Sequence, residues 1–123
     1  MRKHILLSLF IFISIHLLPQ PADNSHIATA TFYSNAFEGK KMANGNMFSN
    51  INYTAAYNLL PLGSVVELTR WGKKDKIIVQ ITDRKGGKGL DLSKKAFLAL
   101  GFKESQGIGL VTIKLISSLE RGR

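Results

Sequence analysis

IIVQITDRKGGKGLDLS, residues 77–93, is the stretch on which the reading of this chain turns. Residues 77–82 follow the period-two pattern of a half-buried strand and run directly into Asp83. A loop containing Gly86, Gly87 and Gly89 comes next, and then a second acid, Asp91, just before a helix start. Two carboxylates, each at the end of a regular element, are placed to share one groove.

Working outward, residues 64–70 read as the strand before this one. The polar turn WGKKDK, residues 71–76, joins the two as a hairpin. Residues 29–34 are β-branched and aromatic, and residues 110–116 alternate Val111, Ile113 and Leu115 against Thr112 and Lys114. One helix is expected over residues 94–100. Ser93 or Asp91 would be its N-cap and Gly101 its stop, with Ala96, Phe97 and Leu100 turned inward. Short strands, many turns and one brief helix point to an all-β fold, mainly β with one short helix. Closing such strands into a small barrel removes exposed edges, with an open sandwich as the competitor.

Composition sets the limits. A chain of 123 residues with 45% apolar content suits one domain with one core. Cysteine is absent, which excludes a disulfide framework and a thiolate metal site. Arg2, Lys3 and His4 precede a nearly unbroken apolar run over residues 5–18, shorter than the roughly 20 residues of a membrane span. Residues 1–22 are therefore expected to be an export signal cleaved between 22 and 29, with an uncleaved anchor as the other reading. The domain is expected over residues 28–116 and a short tail over 117–123. Of the 17 Lys and Arg, Arg2 and Lys3 fall in the leader, and the remaining fifteen outnumber the 8 acids by seven. Such a field favours acidic partners without specifying one, and export argues against nucleic acid.

Individual residues carry two readings each. Asp83 is a working acid or a turn former, and Asp91 a groove acid or a helix cap. Tyr33 and Tyr57 are sugar platforms or half-buried barrel aromatics. Trp71 stacks on sugar or packs over the barrel end. Asn44 and Gly45 form a tight turn, with Asn44 able to offer its amide to a sugar hydroxyl. His26 is expected in a loose N-terminal segment. The glycines lack the residues of a phosphate-binding loop, which excludes nucleotide binding.

Five motifs in order, ATFYS (residues 30–34), GKKMANG (39–45), TAAYNLLPLGS (54–64), VQITDR (79–84) and GLDLSKKAF (89–97), resemble the rare lipoprotein A family over nearly the whole mature chain. The resemblance implies a six-stranded double-psi β-barrel related to the first domain of expansins, in an exported protein acting on peptidoglycan. It further implies an endolytic transglycosylase whose acid, histidine and aspartate positions here read Asn46, Tyr57 and Asp83. Asn46 cannot deliver a proton, and a phenol titrating near ~10 is a poor base. Asp83 alone would then serve as acid and base, since this reaction needs no activated water. The expansin relationship implies instead a binding set of Ser34, Asp83 and Asp91. A third reading is an interaction barrel with a vestigial groove.

The expected site is thus catalytic Asp83 with Asp91, Tyr33, Ser34, Asn44, Asn46, Tyr57 and Arg84 holding substrate. The expected partner is peptidoglycan glycan strands. No cofactor, metal, nucleic acid or lasting membrane anchor is expected, and the protein is read as a secreted or periplasmic monomer. The C-terminal binding domain of many relatives is expected to be missing, so recruitment is intrinsic or indirect.

Overall fold

The computed structural model describes residues 25–118; the expected export signal and the end of the tail lie outside them. Six strands, β1 (Ser25–Phe32), β2 (Thr54–Ala56), β3 (Val65–Arg70), β4 (Lys76–Asp83), β5 (Leu90–Leu92) and β6 (Gly109–Ser117), close into a barrel in the order β1-β5-β2-β4-β3-β6. The β1/β5 and β2/β4 pairs are parallel and the other four antiparallel. This is the mainly-β barrel that the strand count and turns lead one to expect.

Closure follows from alternation. Val66 and Leu68 on β3, Val79 and Ile81 on β4, Leu90 and Leu92 on β5, and Val111 and Ile113 on β6 are all buried, and they meet Ala30 of β1 and Ala55 of β2 inside. The expected hairpin joins β3 to β4, with Arg70 N–H donating to Asp75 O at 3.0 Å.

The one α-helix among the described residues, α1 (Lys94–Ala99), starts where Ser93 Oγ accepts from Ala96 N–H at 3.2 Å. Ser93 is therefore the cap, and Asp91 sits within β5 instead. Gly101, with φ of 89°, follows the helix in the left-handed region that ends it. Ala96, Phe97 and Leu100 are buried as expected. Phe97 lies between Phe32, at 4.7 Å, and Phe102, at 4.8 Å between ring centroids. Truncating such a ring to alanine costs about 3–5 kcal/mol.

Two expectations need correcting. β1 starts at Ser25 and ends at Phe32, so His26 is a strand residue paired with Ile113 and not part of a loose segment. Its early part carries no alternation to read, because His26 and Ile27 are both exposed. β2 and β5 are three residues each, too short for any period to show.

Candidate functional site

β2 is the hinge of the site, because both acids sit in register with one of its residues. Ala56 pairs with Asp91 across the antiparallel β2/β5 contact and with Asp83 across the parallel β2/β4 contact. On the β4 side the register shifts between Ala55 and Ala56, so that Ile81 and then Asp83 oppose successive β2 residues. Such a bulge re-aims the side chain that follows it. Thr82, the skipped residue, is buried, and its hydroxyl donates to Met42 Sδ at 3.2 Å.

Asp83 is half-buried and accepts three hydrogen bonds. Its Oδ1 takes the Ala43 N–H at 2.8 Å and the Arg84 N–H at 2.9 Å, and its Oδ2 takes the Tyr33 hydroxyl at 2.6 Å. Asp91 Oδ1 accepts from Thr31 Oγ1 at 2.5 Å and faces Lys85 Nζ at 3.6 Å. Burial first, then the hydrogen bond and charge of Asp83, then the charge of Asp91 push the Tyr33 phenol well above its ordinary 10.0. Tyr33 therefore keeps its proton, and both carboxylates act on one hydroxyl. The two acids thus flank Ala56, and neither lines the cleft of about 590 Å³ described below.

Residues 39–48 hold the rim in place. Lys41 bridges Met47, Met42 N–H donates to Asn46 O at 2.7 Å, and Gly45 N–H donates to Met42 O at 2.9 Å. Gly45 has φ of 93°, the left-handed value that the tight turn requires. Asn44 N–H donates to Thr82 O at 3.1 Å, which together with the Ala43 bond ties the turn to the end of β4. Beneath it, Tyr33, Met42, Phe48 and Ala56 form a second buried cluster in which the Tyr33 and Phe48 rings stack at 4.0 Å. The ring of Tyr33 is thus core and its hydroxyl is site.

Other expected contacts are spent locally. Ser34 Oγ accepts from Ala36 N–H at 3.1 Å and caps the short 3-10 helix Asn35–Phe37. Asn44 Oδ1 accepts from Asn46 N–H at 2.9 Å, and Asn46 is exposed beside it on the turn. The structure corrects the expected grouping at two positions. Tyr57 is 2% exposed within the main core, and its hydroxyl meets His26 Nε2 at 2.7 Å. Burial raises that phenol above its ordinary value. The Arg84 guanidinium donates to Tyr57 O, and to Leu60 O at 2.7 Å. Neither side chain is directed at the acid pair, although the backbones touch, with Tyr57 N–H donating to Asp83 O at 3.0 Å.

Tyr57 instead lines a separate cleft of about 590 Å³ together with His26, Ile27, Leu59, Lys88 and Gly89. The glycine loop lines this cleft through Gly87, Lys88 and Gly89, and its Lys85 meets Asp91. Asn58 clamps it, donating to Lys85 O at 2.7 Å and Gly87 O at 3.2 Å and accepting from Lys85 N–H at 3.1 Å.

Thr31, Asn58 and the Ala43 amide belong to the site or its frame and were not singled out from sequence. Asn50 joins them: its Oδ1 accepts from Lys94 N–H at 2.7 Å and its Nδ2 donates to Tyr33 O at 3.4 Å. A Thr two positions before Tyr33 was the one available sign of Thr31, through strand alternation. No group of His and acids among the described residues is arranged to hold a metal ion.

The arrangement offers a carboxylate held by two amides and a phenol, beside a second carboxylate paired with an ammonium group. Such a set can hold sugar hydroxyls and can exchange a proton with a glycosidic oxygen.

The sequence profile of the family described as lytic transglycolase matches residues 26–113. The endolytic peptidoglycan transglycosylase RlpA of Pasteurella multocida is 39% identical over 97 residues, 76% of this chain and 33% of that protein. The probable endolytic peptidoglycan transglycosylase RlpA of Treponema pallidum is 39% identical over 87 residues, 68% of this chain and 27% of that protein. The chain thus spans about a third or less of these relatives. Among solved structures, the Streptomyces papain inhibitor superposes with a TM-score of 0.61 at 21% identity, covering 80% of this chain and 100% of that one. A Clavibacter michiganensis expansin mutant in complex with cellohexaose gives 0.61 at 21%, covering 80% and 53%. At that identity the two structures speak for the fold alone.

Proposed function

Because the chain belongs to the lytic transglycolase family, the rare lipoprotein A type of double-psi β-barrel, we propose that it is an exported module acting on the glycan strands of peptidoglycan through Asp83. The observation that carries this is the threefold anchorage of the Asp83 carboxylate by Ala43 N–H, Arg84 N–H and the Tyr33 hydroxyl, with Asp91 in register across Ala56. Anchorage of this kind fixes a carboxylate against a polymer laid over it. The transglycosylase names of the relatives support a glycan as the polymer.

In the catalytic form of the proposal, the primary hydroxyl of a muramic residue attacks that residue's own anomeric carbon as the bond to the next sugar breaks. The Asp83 carboxylate takes the proton of the attacking hydroxyl and passes it to the departing oxygen, leaving an anhydro end and an unchanged carboxylate. No water is consumed. Asp91, neutralised in part by Lys85 at 3.6 Å, orients sugar hydroxyls beside it. Tyr33 positions Asp83 and keeps its own proton, since burial first and then Asp83 hold its phenol well above the ordinary 10.0.

Asn46 and the buried Tyr57 favour a second reading, in which the module grips and loosens glycan without cutting it. One experiment separates the two. Purified sacculi and amidase-stripped glycan are incubated with the protein and with Asp83→Ala, and followed by mass for anhydro ends and by sedimentation for binding. Catalysis predicts anhydro ends that vanish in the variant. Binding alone predicts no anhydro ends and a loss of sedimentation in the variant. Equal sedimentation without anhydro ends for both proteins would remove Asp83 from the function.

A further inference from the structure

β4 ends at Asp83 and begins at Lys76 in the β3/β4 hairpin, and an eight-residue strand separates those ends by about 23 Å. The hairpin tip carries chemistry of its own. Trp71 is 55% exposed, Ile108 54% and Leu110 42%. Trp71 N–H donates to Leu110 O at 2.9 Å, so the tip and the start of β6 lie side by side. Trp71 is thus open to solvent over more than half of its surface.

The tip is held in shape. Lys73 N–H donates to Arg70 O at 3.0 Å, and Gly72 has φ of 79°. The Arg70 guanidinium donates to Gly101 O at 2.8 Å and lies 4.8 Å from the centre of the Phe102 ring. Lys73, Lys74 and Lys103 are exposed around it. Of the nearby acids, Glu67 pairs with Lys76 at 3.9 Å and Glu104 with Lys94 at 3.6 Å, leaving Asp75 against three lysines.

An exposed indole beside two aliphatic side chains, ringed by ammonium groups, matches the boundary between anionic headgroups and acyl chains. The rings and branches enter that boundary while the lysines meet phosphate. A sugar platform would ring the aromatic with hydrogen-bonding side chains, where this tip has Ile108 and Leu110. No helix among the described residues is long and apolar enough to cross a membrane. We infer that the Trp71 end of the barrel docks peripherally on an anionic lipid surface and holds the Asp83 end away from it.

Trp71 is the one tryptophan in the chain, so its emission reports on this tip whichever other segment meets lipid. The full-length protein is titrated with phosphatidylglycerol–phosphatidylcholine vesicles and with phosphatidylcholine vesicles alone. The expected result is a blue shift, and quenching by brominated lipid, with the anionic vesicles only. The apparent affinity falls severalfold from low to physiological salt, and roughly tenfold in Lys73→Glu/Lys74→Glu with an unchanged circular dichroism spectrum. Unchanged Trp71 emission while the protein floats with anionic vesicles would overturn the inference. So would an equal response to phosphatidylcholine, or to glycan strands or polyphosphate without lipid.

Discussion

Tyr33 does two jobs that substitution can separate. Its ring stacks on Phe48 and its hydroxyl serves Asp83, so Tyr33→Phe removes only the second. That change is expected to cost about 1–2 kcal/mol in chemical denaturation, against about 3–5 kcal/mol for Tyr33→Ala. The hydroxyl also sets a pH dependence. Its folded-state pKa is raised above the ordinary 10.0, chiefly by burial. Folding therefore favours the protonated phenol, and the stability tied to it is intact below pH ~10 and lost as pH rises beyond. Tyr57, raised by burial, adds in the same direction. Unfolding free energies measured from pH 8 to 12 should fall less steeply for Tyr33→Phe than for the parent protein. Identical slopes would mean that the Tyr33 hydroxyl is not buried against Asp83. Sequence reading placed Tyr33 and Asp83 in the site but not their bond, since 50 positions separate them and no local pattern records such a pairing. Thr31 and Asp91, 60 apart, went unpaired for the same reason.

At the level of elements, the glycine loop and the first strand make the sharpest predictions. Gly89 has φ of 83°, and a Cβ there would meet Thr29 Oγ1 at 2.5 Å and Thr29 O at 2.8 Å. The second contact is backbone, so β1 itself would have to shift. Gly87 has φ of 80° with open space around it. Gly87→Ala should then cost about 1–2 kcal/mol from the left-handed backbone alone, and Gly89→Ala about 3 kcal/mol or more. Equal losses in denaturant titration would contradict the close approach to Thr29. β1 pairs with β6 from Ser25, opposite Lys114, to Ala30, opposite Gly109. Removing residues 1–28 should therefore destabilise the barrel by about 2 kcal/mol or more relative to a chain starting at Ser25. The strands legible in sequence were those whose inward positions alternate cleanly, such as Val79 and Ile81. β1 was read four residues late because its outward face carries Ile27 beside His26, and β2 and β5 were missed because three residues cannot display a period.

For the whole molecule, closure is what brings the site together. β2 lies between β4 and β5 in the barrel order, and this alone puts Asp83 and Asp91 on either side of Ala56. The five ordered motifs carried the fold, while the reach of individual side chains stayed hidden. Tyr57 and Arg84 belong to motifs yet turn to His26 and to backbone carbonyls, because a motif fixes backbone position and not the partner a long side chain finds. The chain's formal charge of +9 should speed encounter with an anionic wall and make it sensitive to salt. The central claim is that glycan lies over the anchored carboxylate of Asp83, and amide NMR tests it most directly. The N–H groups of Ala43 and Arg84 are bonded to that carboxylate, so adding glycan oligomers should move both signals first and saturably. Shifts confined to residues around the His26–Tyr57 cleft, with Ala43 and Arg84 unmoved, would contradict it.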